Sequence, residues 1–417
     1  MVTYPSDWTT YTFDEMFQMY PNNTLSRDKL SDRGNIGNIH YGDVLIKYGP
    51  VLSEKDSIPK IKEEYESAAK VYLMQNDIIV ADTAEDETVG KVVQIGDIPF
   101  PLVSGLHTIV CRPLVSTATG YLGYYMNSRG YHDQLLPYIT GIKVSSVSKT
   151  SIRKTELHIP STVEEQKAIV KAIESFDSHI TNLANLIEKK KAIRDGARED
   201  LMSGRTRLTG FNKKWVETPF CDYFTLLKNN TYAREMLSAN GEIGNIHYGD
   251  ILVKYGDVVS DEDEVPRLRN GVPFSEKWFL RKNDVLIADT AEDETVGKAI
   301  QIGTVSMPLV GGLHTIVCRP NYETASGFLG YYINSKSFHD QLLPHITGIK
   351  VSSVSKKSIK TTELCIPSDI EEQKAIAGVL TAMDNEIIAI KAEQNKMIQI
   401  REGAMEDLLT GRVRLPM

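Results

Sequence analysis

The amino-acid sequence contains one unit twice, in register, at an offset of 207 residues. Residues 77–91 return as 284–298 with three aliphatic exchanges, and residues 132–149 return as 339–356 with a single exchange. The offset is the same throughout, so no net insertion separates the matched segments. A duplication of this extent predicts two copies of one fold, and hence two copies of one binding surface.

The composition is typical of a soluble globular protein. The 417 residues suffice for two units with connecting elements, each large enough to bury its own core. Apolar residues make up 41% and charged residues 24%, and no stretch approaches the run of roughly 18 apolar residues that a membrane span requires. The N-terminus has no basic segment followed by an apolar one, so we expect no secretory signal and a cytoplasmic protein.

Cysteine usage, charge and missing motifs argue against several classes of function. Cys111, Cys221, Cys318 and Cys365 include no closely spaced pair, which supports neither a disulfide framework nor a zinc site. The net charge of −8 argues against indiscriminate nucleic-acid binding but leaves room for a local basic face. We find no Asn/Asp-Pro-Pro-aromatic motif, Gly-x-Gly cofactor loop or phosphate-binding loop. We therefore expect no catalytic residue, no metal and no cofactor in this chain.

The first 160 residues of each copy mix short β-like runs with turns. Residues 43–48, 77–81 and 91–95 are predicted strands, because β-branched residues cluster there between Gly and Asp. Residues 119–136 have Tyr and Leu at three- and four-residue spacing, which predicts a helix. Each copy should therefore form an α+β or α/β domain.

A long helix is predicted to follow each domain. Ser161 and Ser368 each stand three residues before a Glu, the spacing of a capping box at a helix N-terminus. Gly204 and Gly411 can end the helices in the left-handed conformation. Between these limits apolar residues recur in alternating steps of four and three, the 3.5-residue repeat of a coiled-coil seam: Ile169, Ile173, Phe176, Ile180, Leu183 and Ile187, then Ile376, Leu380, Met383, Ile387 and Ile390.

The sequence leaves two arrangements of these helices open. Each helix could pack on its own domain, or the two could form an intramolecular antiparallel coiled coil. We favour the pairing because the seam is long, and it would relate two similar domains by an approximate, pseudo-twofold axis. The predicted boundaries are 1–160 for the first domain, 161–207 for its helix, 208–367 for the second domain and 368–417 for its helix.

A distinctive passage joins each domain to its helix. It reads Thr-Gly-Ile-Lys-Val-Ser-Ser-Val-Ser-Lys at 140–149, Glu-Leu-His-Ile-Pro at 156–160 and Glu-Glu-Gln-Lys-Ala-Ile at 164–169, and it returns within 347–376. The passage resembles the junction between target-recognition domain and spacer helix in the specificity (S) subunits of type I restriction-modification systems, where a Pro precedes a Glu-Gln pair. This resemblance covers the whole chain.

The resemblance implies a DNA-binding subunit without catalytic activity. In this family each domain reads half of a bipartite double-stranded DNA target, and the paired helices set the spacing. Two methyltransferase (M) subunits, expected to carry S-adenosylmethionine, methylate adenine N6, and restriction (R) subunits can join. Family members usually carry two dissimilar domains, whereas these nearly repeat. An antiparallel arrangement therefore predicts a palindromic or near-palindromic interrupted site, with any difference between half-sites residing at 28–35 and 52–71 against 235–242 and 259–278.

Candidate DNA-contacting residues are cations for phosphates and polar side chains for base edges. In the first copy they are Asn23, Arg27, His107, Lys143, Ser145, Ser146, Lys149 and Arg153. In the second copy they are Asn230, Arg234, His314, Lys350, Ser352, Ser353, Lys356 and Lys360. Structural alternatives stay open, namely an ordinary polar loop for 141–149, a hydrogen-bonded structural role for the histidines, and turn formation for the asparagines.

Two other classes of function stay open beside DNA recognition. One is a coiled-coil scaffold whose repeated domains bind proteins. The other is a metal-dependent hydrolase built on the acidic run at 82–87, but that run lacks a Lys or His partner at suitable spacing. Its carboxylates would also repel DNA unless they accept a hydrogen bond from cytosine N4.

Overall fold

The computed structural model describes residues 4–141, 143–293, 295–348 and 351–416. The chain divides into two compact units, one comprising Met1–Leu183 with Glu393–Met417 and the other Ala184–Ala392. Each unit holds one domain, the start of the long helix that follows this domain, and the end of the other long helix. Each long helix therefore begins in one unit and ends in the other.

The elements of the first copy are short apart from its last helix. Its strands are β1 (Trp8–Thr12), β2 (Phe17–Tyr20), β3 (Leu30–Ser31), β4 (Gly37–Ile39), β5 (Val51–Leu52), β6 (Lys60–Ile61), β7 (Ile78–Ala81), β8 (Thr83–Ala84), β9 (Val92–Ile95), β10 (Leu102–Ser104), β11 (Thr108–Pro113), β12 (Ser145–Ser146) and β13 (Glu156–Pro160). Its helices are α1 (Phe13–Met16), α2 (Tyr41–Ile46), α3 (Tyr121–Met126), α4 (Arg129–His132), α5 (Lys149–Ile152) and α6 (Val163–Met202).

The second copy repeats this order. Its strands are β14 (Trp215–Pro219), β15 (Phe224–Leu227), β16 (Leu237–Ser238), β17 (Gly244–Ile246), β18 (Val258–Val259), β19 (Arg267–Leu268), β20 (Val285–Ala288), β21 (Thr290–Ala291), β22 (Ala299–Ile302), β23 (Leu309–Gly311), β24 (Thr315–Pro320), β25 (Ser352–Ser353) and β26 (Glu363–Pro367). Its helices are α7 (Phe220–Tyr223), α8 (Tyr248–Val253), α9 (Phe328–Ile333), α10 (Lys336–His339), α11 (Lys356–Ile359) and α12 (Ile370–Leu409).

A mixed five-stranded sheet forms the centre of each domain. Its order is β2-β11-β7-β9-β5 in the first copy and β15-β24-β20-β22-β18 in the second. A four-stranded sheet, β10-β4-β6-β3 or β23-β17-β19-β16, and two-stranded pairs complete each domain. Strands β7 and β9 are buried throughout, as continuous β-branched runs predict. The predicted strands at 77–81 and 91–95 and the α+β fold of the domains are confirmed.

The predicted strand at 43–48 is wrong, because helix α2 covers most of it. The His40 side chain accepts a hydrogen bond from the Gly42 N–H and caps this helix. Val44 is fully buried, whereas Ile46 is 88% exposed, so the apolar run does not line one face of a sheet. Local capping outweighs the β-propensity of the run in so short a segment.

The single helix predicted at 119–136 is interrupted. Helix α3 begins after Gly120, which adopts a left-handed conformation, and ends before Asn127. The Ser128 side chain then accepts from the Tyr131 N–H and caps the separate helix α4. The apolar spacing is therefore correct for helical structure, but a second capping residue divides it.

The two long helices are confirmed, each with 40 residues, but their capping residues differ from the prediction. Thr162 and Asp369 stand before the first helical residues, and their side chains accept from the Glu165 and Glu371 N–H groups. The predicted caps, Ser161 and Ser368, instead donate to backbone carbonyls next to β1 and β14. They therefore hold the start of the domain against the start of the helix.

Helices α6 and α12 run antiparallel in both units. In the first unit Arg401 of α12 pairs with Asp177 of α6 at 2.9 Å. In the second unit Lys190 pairs with Glu386 at 2.6 Å and Arg194 with Asp384 at 3.1 Å. In the first unit the Gln394 side chain also donates to the Ile180 carbonyl at 3.3 Å. In each unit the residue numbers of the contacts rise along α6 as they fall along α12, so the antiparallel pairing is confirmed within each unit.

The apolar helix positions serve the domain cores as well as the helix pairing. In the first unit Ile169 and Ile173 join the core cluster of the domain, together with Leu408 and Leu409 from the end of α12. In the second unit Ile376 and Leu380 do the same, with Leu201 and Met202 from the end of α6. The two arrangements left open by the sequence are therefore combined, since each helix packs on its own domain and pairs with the other helix.

Candidate nucleic-acid interface

A tight loop carries the serine-rich segment that the sequence singled out. Strand β12 pairs with β8, placing Ser146 opposite Thr83. Thr140 and Ser146 exchange backbone hydrogen bonds of 3.0 and 2.8 Å, which close the loop. Lys143 and Val144 lie exposed between these residues. In the second copy Thr347 and Ser353 exchange the same two bonds, and Ser352 and Ser353 pair with β21.

A glycine fixes the conformation of this loop. Gly141 has φ of +123°, and a Cβ atom added there would lie 1.9 Å from the Val144 carbonyl oxygen. Gly348 has φ of +125° and meets Val351 at the same distance. Only glycine adopts this conformation without strain, so both copies require a glycine at this position.

The histidines predicted from the sequence lie beside this loop. His107 and His314 adopt φ of 55° and 54°, which is uncommon for residues other than glycine. The side chain of each is about half exposed. The ring of Tyr41 stands edge-on to His107, with centroids 5.3 Å apart, and Tyr248 meets His314 at 5.2 Å. Backbone strain of this kind is found preferentially at functional sites.

An aspartate joins the histidine to the loop. The backbone N–H of Asp82 donates to the His107 carbonyl at 3.2 Å, and its own carbonyl accepts from the Val147 N–H at 2.9 Å. Asp82 Oδ1 accepts from the Thr83 hydroxyl at 2.8 Å and lies 3.4 Å from His107 Nδ1. Asp289, Thr290 and His314 repeat this arrangement.

These residues form one continuous surface per domain, which we name the polar face. It consists of Asp82, Thr83, His107, Lys143, Ser145 and Ser146 in the first copy, and of Asp289, Thr290, His314, Ser352 and Ser353 in the second. Lys350, the repeat counterpart of Lys143, lies outside the described residues. The sequence did not single out Asp82 and Thr83 as contact residues. The signal that could have found them is their position directly after a buried strand, repeated in both copies.

The other predicted cations surround helices α5 and α11. Lys149 and Lys356 are exposed in the first turn of these helices. Arg153 forms an exposed ion pair with Asp14 at 3.3 Å, while its counterpart Lys360 is exposed. In each domain, lysines or arginines therefore follow the serines of the polar face closely along the sequence.

The predicted asparagines and arginines form hydrogen bonds and ion pairs with other residues of their own domain. Asn23 and Asn230 donate through their side-chain amides to Asn38 and Asn245, each at 2.7 Å. Their side-chain oxygens accept from the backbone N–H two residues on, which is the geometry of a turn. Arg27 and Arg234 are about half exposed and pair with buried Asp43 and Asp250 at 3.1 and 3.0 Å. Their role in DNA contact stays a prediction.

Burial changes the protonation of the helix-capping histidines. It lowers the pKa of His40, and the charge of Arg27 lowers it further. The pKa of His247 is lowered in the same way, by burial and then by Arg234. The neutral ring is therefore favoured, which leaves its Nδ1 atom free to accept from the backbone of α2 or α8.

Two α+β domains, each with one polar face and one long helix, define a binding protein with a repeated surface. The sequence model described as the type I restriction modification DNA specificity domain matches residues 5–191 and again 212–399. The chain therefore belongs to the family of type I restriction-modification specificity subunits. In the described part of the chain, no helix combines the length and the apolar content that a membrane span requires.

A curated relative and two solved structures are similar to this chain over almost its whole length. The chain is 24% identical to a putative type I restriction enzyme specificity subunit of Methanocaldococcus jannaschii, over 99% of this chain and 95% of the relative. A chain from a structure of type I restriction-modification complex assembly and conformational transition is similar at 15% identity, with a TM-score of 0.64 and coverage of 99% and 100%. The HsdS subunit from Thermoanaerobacter tengcongensis is similar at 16% identity, with a TM-score of 0.54 and coverage of 99% and 98%.

Proposed function

We propose that this chain reads a bipartite, palindromic or near-palindromic interrupted DNA site and positions methyltransferase subunits for adenine N6 methylation. One observation carries the proposal, namely that the described residues of the polar face recur in both domains with the same backbone hydrogen bonds. Hydroxyl and ammonium groups on this loop, with an imidazole beside it, are the kinds of group that contact DNA base edges and phosphates. Identical faces should read identical or closely similar half-sites.

The proposed complex places the chemistry in partner subunits. Two methyltransferase subunits would bind S-adenosylmethionine and transfer the methyl group, and restriction subunits would join to cleave DNA. This chain would contribute the two recognition domains and the helices between them. The family assignment and the missing nucleotide-binding motifs of the sequence support this division of labour.

The contribution of the loop lysines can be tested by salt dependence. Lys143→Ala combined with Lys350→Ala should weaken DNA binding and reduce the slope of log Kd against log salt by about two, since each lost phosphate contact removes about one. The measurement is a DNA-binding titration of the complex with its methyltransferase at several salt concentrations. Lys214→Ala, which removes an exposed lysine outside the polar face, should leave the slope unchanged. An unchanged affinity and slope in the double variant would remove both lysines from the interface.

A further inference from the structure

A carboxylate lies at the centre of each polar face, and a negative charge is unfavourable on a surface that approaches DNA. The side chains of Asp82 and Asp289 are each 27% exposed, so both carboxylates are partly accessible from solvent. An ionised carboxylate only accepts hydrogen bonds, and phosphates, guanine O6 and N7, and thymine O4 are also acceptors. DNA bound at this surface would therefore have to place a hydrogen-bond donor opposite the carboxylate.

The surrounding side chains hold one carboxylate oxygen and leave the other available. Asp289 Oδ1 accepts from the Thr290 hydroxyl at 2.8 Å and lies 3.1 Å from His314 Nδ1. Across the described ranges of the chain, neither Asp82 nor Asp289 has a hydrogen bond to its Oδ2 atom. The Thr and His contacts fix the carboxylate in position, so Oδ2 is a preorganised acceptor.

The second copy shows a cavity next to this acceptor. It has a volume of about 370 Å³ and is lined by Asp289, His314, His345, Thr347, Ser353 and other polar residues. The cavity is open to solvent and carries hydroxyl and imidazole groups beside the carboxylate. Such a polar recess can receive the edge of a base that projects from a groove.

The major groove offers one kind of donor, the exocyclic amino group at cytosine N4 or adenine N6. We propose that Asp82 and Asp289 determine sequence specificity by accepting a hydrogen bond from such an amino group, one in each half-site. This rests on the proposed DNA-reading function. Each aspartate would determine the orientation of one base pair, namely which DNA strand carries the base with the amino group. Because the two copies have similar geometry, the same requirement holds in both half-sites.

Selection from randomised half-sites identifies the base pair that each aspartate reads. The complex of the full chain with its methyltransferase is used, as wild type, Asp82→Asn, Asp289→Asn and the control Asp86→Asn. Asn both donates and accepts, so Asp82→Asn should relax one position in one half-site by roughly tenfold to one-hundredfold and leave the other half-site unchanged. The unchanged half-site shows that the variant is folded. Within the described part of the chain, Asp86 accepts hydrogen bonds from Thr88 alone, in a local turn, so its variant should select the wild-type sequence.

Base analogues then test the amino group itself. Purine in place of adenine, or 2-pyrimidinone in place of cytosine, is placed at the relaxed position, and the base that responds distinguishes the two sources. The analogue should weaken wild-type binding roughly tenfold to one-hundredfold and leave Asp82→Asn nearly unaffected, because the contact is already lost. Equal weakening of both proteins, or selection by Asp82→Asn that matches wild type at every position, would overturn the inference. Failure of the proposed function is distinct, since wild type itself would then select no sequence.

Discussion

At the scale of single residues, the two helix-capping histidines give a pH dependence with a definite sign. The folded pKa of His40 and His247 lies below the unfolded value of about 6.5, so the folded protein binds fewer protons. Stability contributed by the neutral rings is present above that pH and is lost as the pH falls through the folded pKa. The charged side chains of Arg27 and Asp43 and the imidazole of His107 face His40.

Replacing both histidines with serine should remove this part of the pH dependence. A serine hydroxyl still accepts from the Gly42 or Gly249 N–H but does not titrate near neutral pH. His40→Ser with His247→Ser should therefore lose less unfolding free energy than wild type between pH 7.5 and pH 5. Urea unfolding at several pH values measures the difference. The same loss in both proteins would show that the caps do not titrate in this window.

Gly141 gives a second prediction at this scale. Gly141→Ala places a Cβ against the Val144 carbonyl, so the exposed loop must rearrange while the buried core stays intact. DNA affinity should fall with little change in thermal unfolding. In Gly196→Ala, the matched control within α6, the added Cβ meets no atom within 4 Å, so affinity should be kept. Equal affinity of the Gly141→Ala and wild-type proteins would show that the loop conformation is not used for binding.

At the scale of elements, the end of α12 acts as part of the first domain. Leu409 is 1% exposed in the core cluster of that domain, whereas Ile400 on the same helix is 42% exposed. Leu409→Ala should lower the unfolding free energy by about 2–5 kcal/mol, and Ile400→Ala should change it far less. Denaturant unfolding of the full chain compares the two. Similar small losses would mean that the helix end is not needed by the core.

The sequence predicted the elements whose pattern is long and uniform. Both 40-residue helices follow from apolar residues at alternating steps of four and three. The buried strand β7 follows from a continuous apolar run. Helix α2 was missed because a capping histidine and a buried aspartate decide its conformation, and neither is visible as a periodic pattern. Short segments depend on such tertiary contacts more than on propensity.

The candidate site was predicted in part, for a related reason. The serine-rich loop and His107 were found from residue type and spacing. Asp82 was set aside as repulsive to DNA, because the sequence does not show that Thr83 and His107 hold one of its oxygens. Asn23 offered the right chemistry for base contact, but only the fold reveals its hydrogen bonds to neighbouring residues. Residue chemistry suggests candidates, whereas hydrogen-bond partners decide which groups are available.

At the scale of the whole molecule, two near-identical recognition domains should require two near-identical DNA half-sites. The domains share their strand order, the backbone hydrogen bonds that close the serine-rich loop and the described residues of the polar face. Helices α6 and α12 run antiparallel within each unit. Differences between the copies concentrate in segments outside the polar face, including 52–71 against 259–278. The two half-sites can therefore differ at a few positions, but they should not be unrelated.

Mapping of N6-methyladenine tests this claim most directly. The chain is co-expressed with its methyltransferase in cells that lack other adenine methylation, and the modified sites are read genome-wide. We predict an interrupted motif whose two half-sites are inverted copies of one another or nearly so. Two half-sites without sequence similarity would contradict the account, as would methylation that depends on the chain but follows no interrupted motif.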